Sequence, residues 1–424
     1  MPGSVTELLV EAESLSRHLP HERSTELHSV KDIALGRTIP SWRADNAQPD
    51  HALHSMMSRV GSFPPALVRY FLALYSQPGD IVLDPFCGKG TALFEAAVSG
   101  RIAVGGDIGP DAVASTLAKS RPVSTARVAN YIEEIELSDS LVLSNVPPSV
   151  ALFFRKNTLS QIVALRKQLS SDMQSRSRRD VATFVRGVLL GVLHGHSRWS
   201  LSLPCNQAFG MSPNYVTRYM KEHKLIKPYR DVQKCLLNRA LELLPFPEKM
   251  SKVVVVESPA QKCDEYVGQA GGKAALIITS PPYLDRQTYI KDSWLRLWFL
   301  NKSRQDVAKG SLETGSVYNF VEGMIKVMRA MSISLKKNGI VVMVCGRTMI
   351  KAAGQHRSVR ISELCLLANS RLGSGRLVPE RLIVDKKMMK RGAYFAVHHG
   401  KSVDGDGKQA SRFGEDEILV FRKS

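Results

Sequence analysis

Residues 81–107 limit the fold more than any other stretch of this 424-residue chain. Ile81-Val82-Leu83 reads as a short buried strand, and Asp84-Pro85-Phe86-Cys87-Gly88-Lys89-Gly90-Thr91 as a glycine-bearing loop. A helix follows over 91–99, closed by Gly100, and a second strand over 102–106 ends at Asp107. Strand, loop, helix and strand in this order make a parallel unit of the α/β class, with helices on both faces of the sheet. Gly88 and Gly90 let the loop turn sharply and approach a ligand without an intervening side chain. Asp107, at the tip of the second strand, suits a carboxylate that accepts hydrogen bonds from both ribose hydroxyls of a nucleoside cofactor.

The loop excludes two phosphate binders. It is not a Gly-x-x-x-x-Gly-Lys-Ser/Thr loop, and the third glycine of a dinucleotide fingerprint is missing. Asp84 would repel a pyrophosphate but could accept a hydrogen bond from a cationic amino-acid group. S-adenosylmethionine has such a group and no phosphate.

Further strand signals lie at 253–256, 275–278, 340–344, 381–384 and 418–421, with helical patterns at 63–76, 290–300 and 320–335. Between the first two strands and the rest, helical patterns dominate, so the sheet is split by an insertion of roughly 140 residues, too long for a plain loop. The chain therefore divides into a lead-in (1–50), a catalytic domain (51–108 and 251–424) and a basic helical insertion (109–250). Segment 402–408 reads as an exposed loop.

Charge points to a polyanion. The chain has 58 Lys and Arg against 39 Asp and Glu, a net charge of +19, which favours salt-sensitive contact with phosphate backbones. Residues 151–250 hold 17 Lys and Arg against 6 Asp and Glu. There Trp199, Tyr215 and Tyr229 sit among Arg198, Arg218, Lys221, Lys224, Lys227 and Arg230, an arrangement suited to phosphate and base contacts. The six cysteines form no Cys-x-x-Cys pair, so neither a zinc knuckle nor a disulfide framework is indicated. No run is apolar enough for a membrane span, and residues 1–13 lack a signal-peptide core. A cytoplasmic, DNA-associated protein is the expectation.

The run Asp84–Thr91 resembles the cofactor loop of the S-adenosylmethionine-dependent DNA amino-methyltransferase family, which modifies N4 of cytosine or N6 of adenine. Phe63-Pro64-Pro65-Ala66-Leu67-Val68 resembles that family's helix beside the methionine end of the cofactor, and His51-Ala52-Leu53-His54 its lead-in. Thr279-Ser280-Pro281-Pro282-Tyr283, after the apolar run 276–278, resembles its catalytic motif in the Ser form most often associated with N4-cytosine. The resemblance covers 50–108 and 253–424. It implies a Rossmann-like class I methyltransferase sheet with a mostly helical insertion, and the insertion as target reader. It implies cofactor contacts from Phe63, Pro64, Asp84, Phe86, Gly88, Gly90, Thr91, Asp107 and Ser258. Ser258 stands where many relatives have an acid, since this chain reads Glu257-Ser258-Pro259-Ala260. Trp294 and Trp298, spaced i and i+4 in an aromatic-rich helix, read as core. The basic stretch 386–391 could meet a phosphate backbone or solvent alone.

The implied chemistry suits the residue types. An exocyclic amino nitrogen is a poor nucleophile because its lone pair is delocalised into the base. Ser280 Oγ and the Pro281 carbonyl can accept its hydrogens and favour a pyramidal nitrogen, while Pro281 and Pro282 fix that carbonyl's direction. Tyr283 can stack on a base flipped from the duplex. The methyl group then passes directly to nitrogen, which calls for no metal. The alternatives are N6-adenine methylation, RNA base methylation, and a catalytically silent DNA-binding protein. Leu203-Pro204-Cys205 contains the Pro-Cys pair of carbon-5 cytosine enzymes, but their downstream Glu-Asn-Val is absent, and Cys205 reads as a small loop residue. No nuclease motif is evident, so restriction activity would need a separate endonuclease.

Overall fold

A computed structural model describes residues 4–32, 36–43, 50–59, 62–139, 143–195, 197–203, 212–284, 289–308, 310–312, 314–352, 355–388 and 413–424. Cys205, the loop 402–408 and residues 389–391 of the basic stretch lie outside them.

Eight strands form one sheet: β1 (His21–Arg23), β2 (Ile81–Asp84), β3 (Ile102–Asp107), β4 (Val253–Glu257), β5 (Ala274–Thr279), β6 (Leu335–Cys345), β7 (Val378–Met388) and β8 (Phe413–Arg422). Their order is β1-β7-β8-β6-β5-β2-β3-β4. Strand β2 pairs in parallel with β3 and β5, and β4 and β6 extend the parallel core outward. Strand β8 runs antiparallel to both β6 and β7 and sits between them. This is the expected α/β sheet, mostly parallel at its core with one antiparallel strand near its edge, and all five later strand signals lie on it. The sequence had placed no strand in the lead-in, whose β1 pairs with β7. Three residues are too few to show a periodic pattern.

The central strands are apolar throughout because both faces are covered. Side chains alternate between two cores with period two. Leu83, Ile277, Val341 and Met343 join a core beneath helices Val317–Ser334 and Ile361–Ser370. Val82, Leu276, Ile278, Val342 and Val344 join the opposite core with helices Pro65–Tyr75 and Thr91–Val98.

The third core is helical. Helices Thr125–Glu133, Lys156–Asp172, Arg179–Val192 and Val232–Leu243 bury one apolar cluster that also takes in Leu53, Met56, Phe94, Ala118, Leu295 and Phe299. Helix Arg179–Val192 approaches closely through two glycines. A β-carbon on Gly187 would stand 2.3 Å from that of Ala118, and one on Gly191 1.8 Å from the Met56 carbonyl oxygen. The helical region therefore shares a packed interface with the flank of the sheet. Trp294 and Trp298 pack against this core half-buried, Trp294 edge-on to Phe153 with ring centroids 5.5 Å apart.

Candidate active site

Strands β2, β3 and β5 end side by side, so the loops after them meet at one edge of the sheet. Asp84 closes β2 with its side chain buried. Its Oδ1 accepts from the Thr279 hydroxyl at 2.7 Å and from the Phe86 N–H at 3.1 Å. Burial pushes the Asp84 carboxyl up to about 7, against the pull of those two hydrogen bonds.

Asp107 ends β3. Its two oxygens are oriented by backbone amides: Gly88 N–H donates to Oδ2 at 2.9 Å and Gly109 N–H to Oδ1 at 2.7 Å. A carboxylate oxygen has two acceptor sites, so each retains one not taken by these backbone amides. The two loop glycines do different work. Gly88 lines the cleft at φ 51°, with no neighbour nearer than 3.9 Å to a β-carbon placed on it. Gly90, at φ 76°, would put a β-carbon 2.5 Å from Thr116 Oγ1 on the next helix. Its freedom serves helix packing rather than ligand approach.

A solvent-open cleft brings together Phe63, Asp84, Phe86, Gly88, Thr91, Asp107, Ser280 and Pro282. Pro64, Gly90, Ser258, Pro281 and Tyr283 are not in its wall. The Ser258 N–H makes the last rung of the β3–β4 ladder, to the Asp107 carbonyl at 3.1 Å, and the residues past that strand that reach the cleft wall are Ala260 and Gln261. Gln261 Oε1 is buried with no hydrogen-bond partner, an acceptor suited to an adenine amino group. Thr91 Oγ1 is likewise buried and unpartnered. Two orphaned polar atoms beside an oriented carboxylate fit a nucleoside with several donors and acceptors. Pro281 is buried, and the Tyr283 ring lies against Gly346, where a β-carbon would come within 2.6 Å of it.

Several cleft residues carried no sequence signal. Ile290, Ser293, Leu297, Val307 and Leu312, all downstream of the tetrapeptide, form part of its wall. Arg59 lies 3.7 Å from Asp107 Oδ1 and 3.2 Å from Asp111 Oδ1. Asp111 also accepts from Ser293 Oγ at 2.9 Å and lies 3.7 Å from Arg296. Burial raises the Asp111 carboxyl, but flanking Arg59 and Arg296 outweigh it and hold the group below its usual value. Lys89 lines the cleft and donates to the His54 carbonyl at 3.3 Å. His54 is itself buried, 2.7 Å from Glu95, and lies outside the cleft wall.

The basic candidates occupy varied settings. Arg198 stacks over Trp199 at 4.9 Å and pairs with Glu242. Arg218 lies over Tyr215 at 5.7 Å and 3.7 Å from Glu222, while Lys221 and Lys224 are exposed. Lys227 Nζ donates to the Ala151 carbonyl at 2.8 Å, and the Arg230 backbone bonds to Thr158.

A profile of the DNA methylase family, the N6/N4 group, matches residues 22–119. The type II methyltransferase M.MjaII of Methanocaldococcus jannaschii is 41% identical over 58 residues, 14% of this chain and 11% of that protein. The type II methyltransferase M.MthZI of Methanothermobacter thermautotrophicus is 32% identical over 87 residues, 20% of this chain and 24% of that protein. The matches thus span at most about a quarter of these relatives. Among solved structures, TrmN from Thermus thermophilus superposes with TM-score 0.31 at 10% identity, over 88% of this chain and 52% of its own. The rRNA methyltransferase aviRa from Streptomyces viridochromogenes gives 0.29 at 12% identity, over 79% and 98%.

Proposed function

With the cofactor-loop segment that of a DNA amino-methyltransferase of the N6/N4 family, we propose that this chain methylates the exocyclic N4 amino group of cytosine in duplex DNA. One observation carries the reading: Ser280 and the oriented carboxylate of Asp107 line the same cleft. S-adenosylmethionine supplies an electrophilic methyl group on a sulfonium. Asp107 and Gln261 would hold its nucleoside, and Asp84 stands at the loop where its ammonium belongs. The Ser280 hydroxyl, with the Pro281 carbonyl, accepts hydrogen bonds from the target amino group and favours a nucleophilic nitrogen. Preorganisation by the two prolines keeps the cost of orienting that carbonyl out of the reaction step. Tyr283, backed by Gly346, supports the extruded base.

The test is incubation with labelled S-adenosylmethionine and unmethylated DNA, followed by nucleoside mass spectrometry. N4-methylcytosine is expected. N6-methyladenine instead would move the acceptor to adenine, and label in RNA alone would overturn the DNA reading. Ser280→Ala should lose most turnover and retain cofactor binding. A separate endonuclease partner would be sought by co-purification.

A further inference from the structure

The turn after helix Pro213–Glu222 presents an apolar side chain from within a basic segment. Ile226 is 86% exposed, the highest value among the exposed large hydrophobic residues described. A lone exposed apolar residue ordinarily carries no meaning, but the setting of this one is built.

The turn is fixed at both ends. His223 N–H donates to the Tyr219 carbonyl and Leu225 N–H to that of Met220, each at 3.0 Å. Lys224 adopts φ 49°, the left-handed conformation that ends a helix, without being glycine. Leu225 packs inward on the helical core, which leaves Ile226 facing out. On the return, Lys227 Nζ bonds to Ala151, and Thr158 Oγ1 exchanges hydrogen bonds with the Arg230 backbone at 2.9 and 3.0 Å. The segment 212–230 holds Arg218, Lys221, Lys224, Lys227 and Arg230 against Glu222 as its single acid.

We propose that Ile226 is a wedge that enters the stack of duplex DNA while Lys221 and Lys224 meet the flanking phosphates. An apolar tip on a rigid basic turn matches the two requirements of such insertion, desolvated contact with base faces and neutralised backbone charge. The inference rests on the DNA reading above, because a stacked duplex is what offers both base faces and flanking phosphates to such a tip.

The experiment uses the full chain, saturating S-adenosylhomocysteine and a fluorescein-labelled random-sequence duplex, read by anisotropy. Ile226→Ala should weaken duplex binding roughly tenfold, by loss of buried apolar surface. Its salt dependence, single-strand affinity, thermal midpoint and cofactor affinity should stay unchanged. Lys221→Ala with Lys224→Ala should instead reduce the slope of log affinity against log salt by about 2. Duplex binding by Ile226→Ala equal to that of the unaltered chain overturns the wedge, as does an equal loss on single and double strands. Preference of the unaltered chain for RNA over duplex DNA overturns it too. Binding is measured without turnover. A chain that binds duplex through Ile226 but transfers no methyl group therefore refutes only the activity, and one that methylates DNA with Ile226→Ala binding unchanged refutes only the wedge.

Discussion

The Thr279 hydroxyl donates a 2.7 Å hydrogen bond to the buried Asp84 carboxylate, across the adjacent parallel strands β5 and β2. Two motifs 195 residues apart are thereby joined at one atom. Thr279→Val keeps the shape and removes the donor. About 1 kcal/mol of support for the charged carboxylate is lost, so S-adenosylhomocysteine affinity at neutral pH should fall roughly five- to tenfold. Isothermal titration checks this, and Thr279→Ser should restore most of it.

The raised Asp84 carboxyl sets a pH dependence. Its folded value of about 7 exceeds the ordinary 3.8, so the folded chain binds an extra proton between those values. On this group's account stability falls as pH rises through that window, and the protonated form is the favoured one below it. A cationic ligand group prefers the ionised form. Cofactor affinity should therefore rise with pH from about 6 and level off above about 7. Proton release on binding, read by titration in buffers of different ionisation heat, checks the sign. Asp84→Asn should flatten both dependences.

Gly88 and Gly90 should separate on substitution. Gly90→Ala strains a left-handed residue and drives a β-carbon into Thr116, at a cost of about 2–4 kcal/mol in urea unfolding. Gly88→Ala shares the left-handed strain, about 1 kcal/mol, but meets no such contact, so it should cost less stability than Gly90→Ala while also weakening cofactor affinity.

The ion network beneath the cleft should be intolerant of single deletions. Arg296→Met removes one of the two arginines flanking the buried Asp111 and leaves Arg59, at roughly 3–5 kcal/mol. Equilibrium unfolding measures it. Asp111→Asn paired with Arg296→Met should recover part of the loss, since the two charges disappear together.

Gln261→Leu removes an orphaned acceptor. Binding of S-adenosylhomocysteine should weaken about tenfold, and preference for it over its inosine analogue should disappear. Unaltered preference would place the adenine elsewhere.

Much of the fold was legible because strand runs and glycine loops are local patterns. Ile81–Asp84, Ile102–Asp107 and Ala274–Thr279 are apolar runs ended by chemistry-bearing residues, and the order of the motifs follows from reading along the chain. The cleft was legible only in part. Gly90 shares its loop with Gly88, yet its conformation answers to Thr116. Ser258 stood at the expected distance from its strand, but its backbone completes the strand ladder to Asp107 and it is Gln261, three residues on, that reaches the cleft. Neither outcome can be read from residue type and spacing.

By itself the sequence determined the strand-loop-helix-strand unit, the acid at the tip of the second strand and the Ser-Pro-Pro-Tyr after a buried strand. Backbone preference and side-chain periodicity act over a few residues, so these features are written locally. Only the tertiary structure decided that Thr279 would hold Asp84, that Arg59 would bridge Asp107 and Asp111, and that Ile290, Ser293, Leu297, Val307 and Leu312 would wall the cleft. Those contacts join segments far apart in the chain, and their geometry is fixed by sheet order and helix packing rather than by any neighbouring residue.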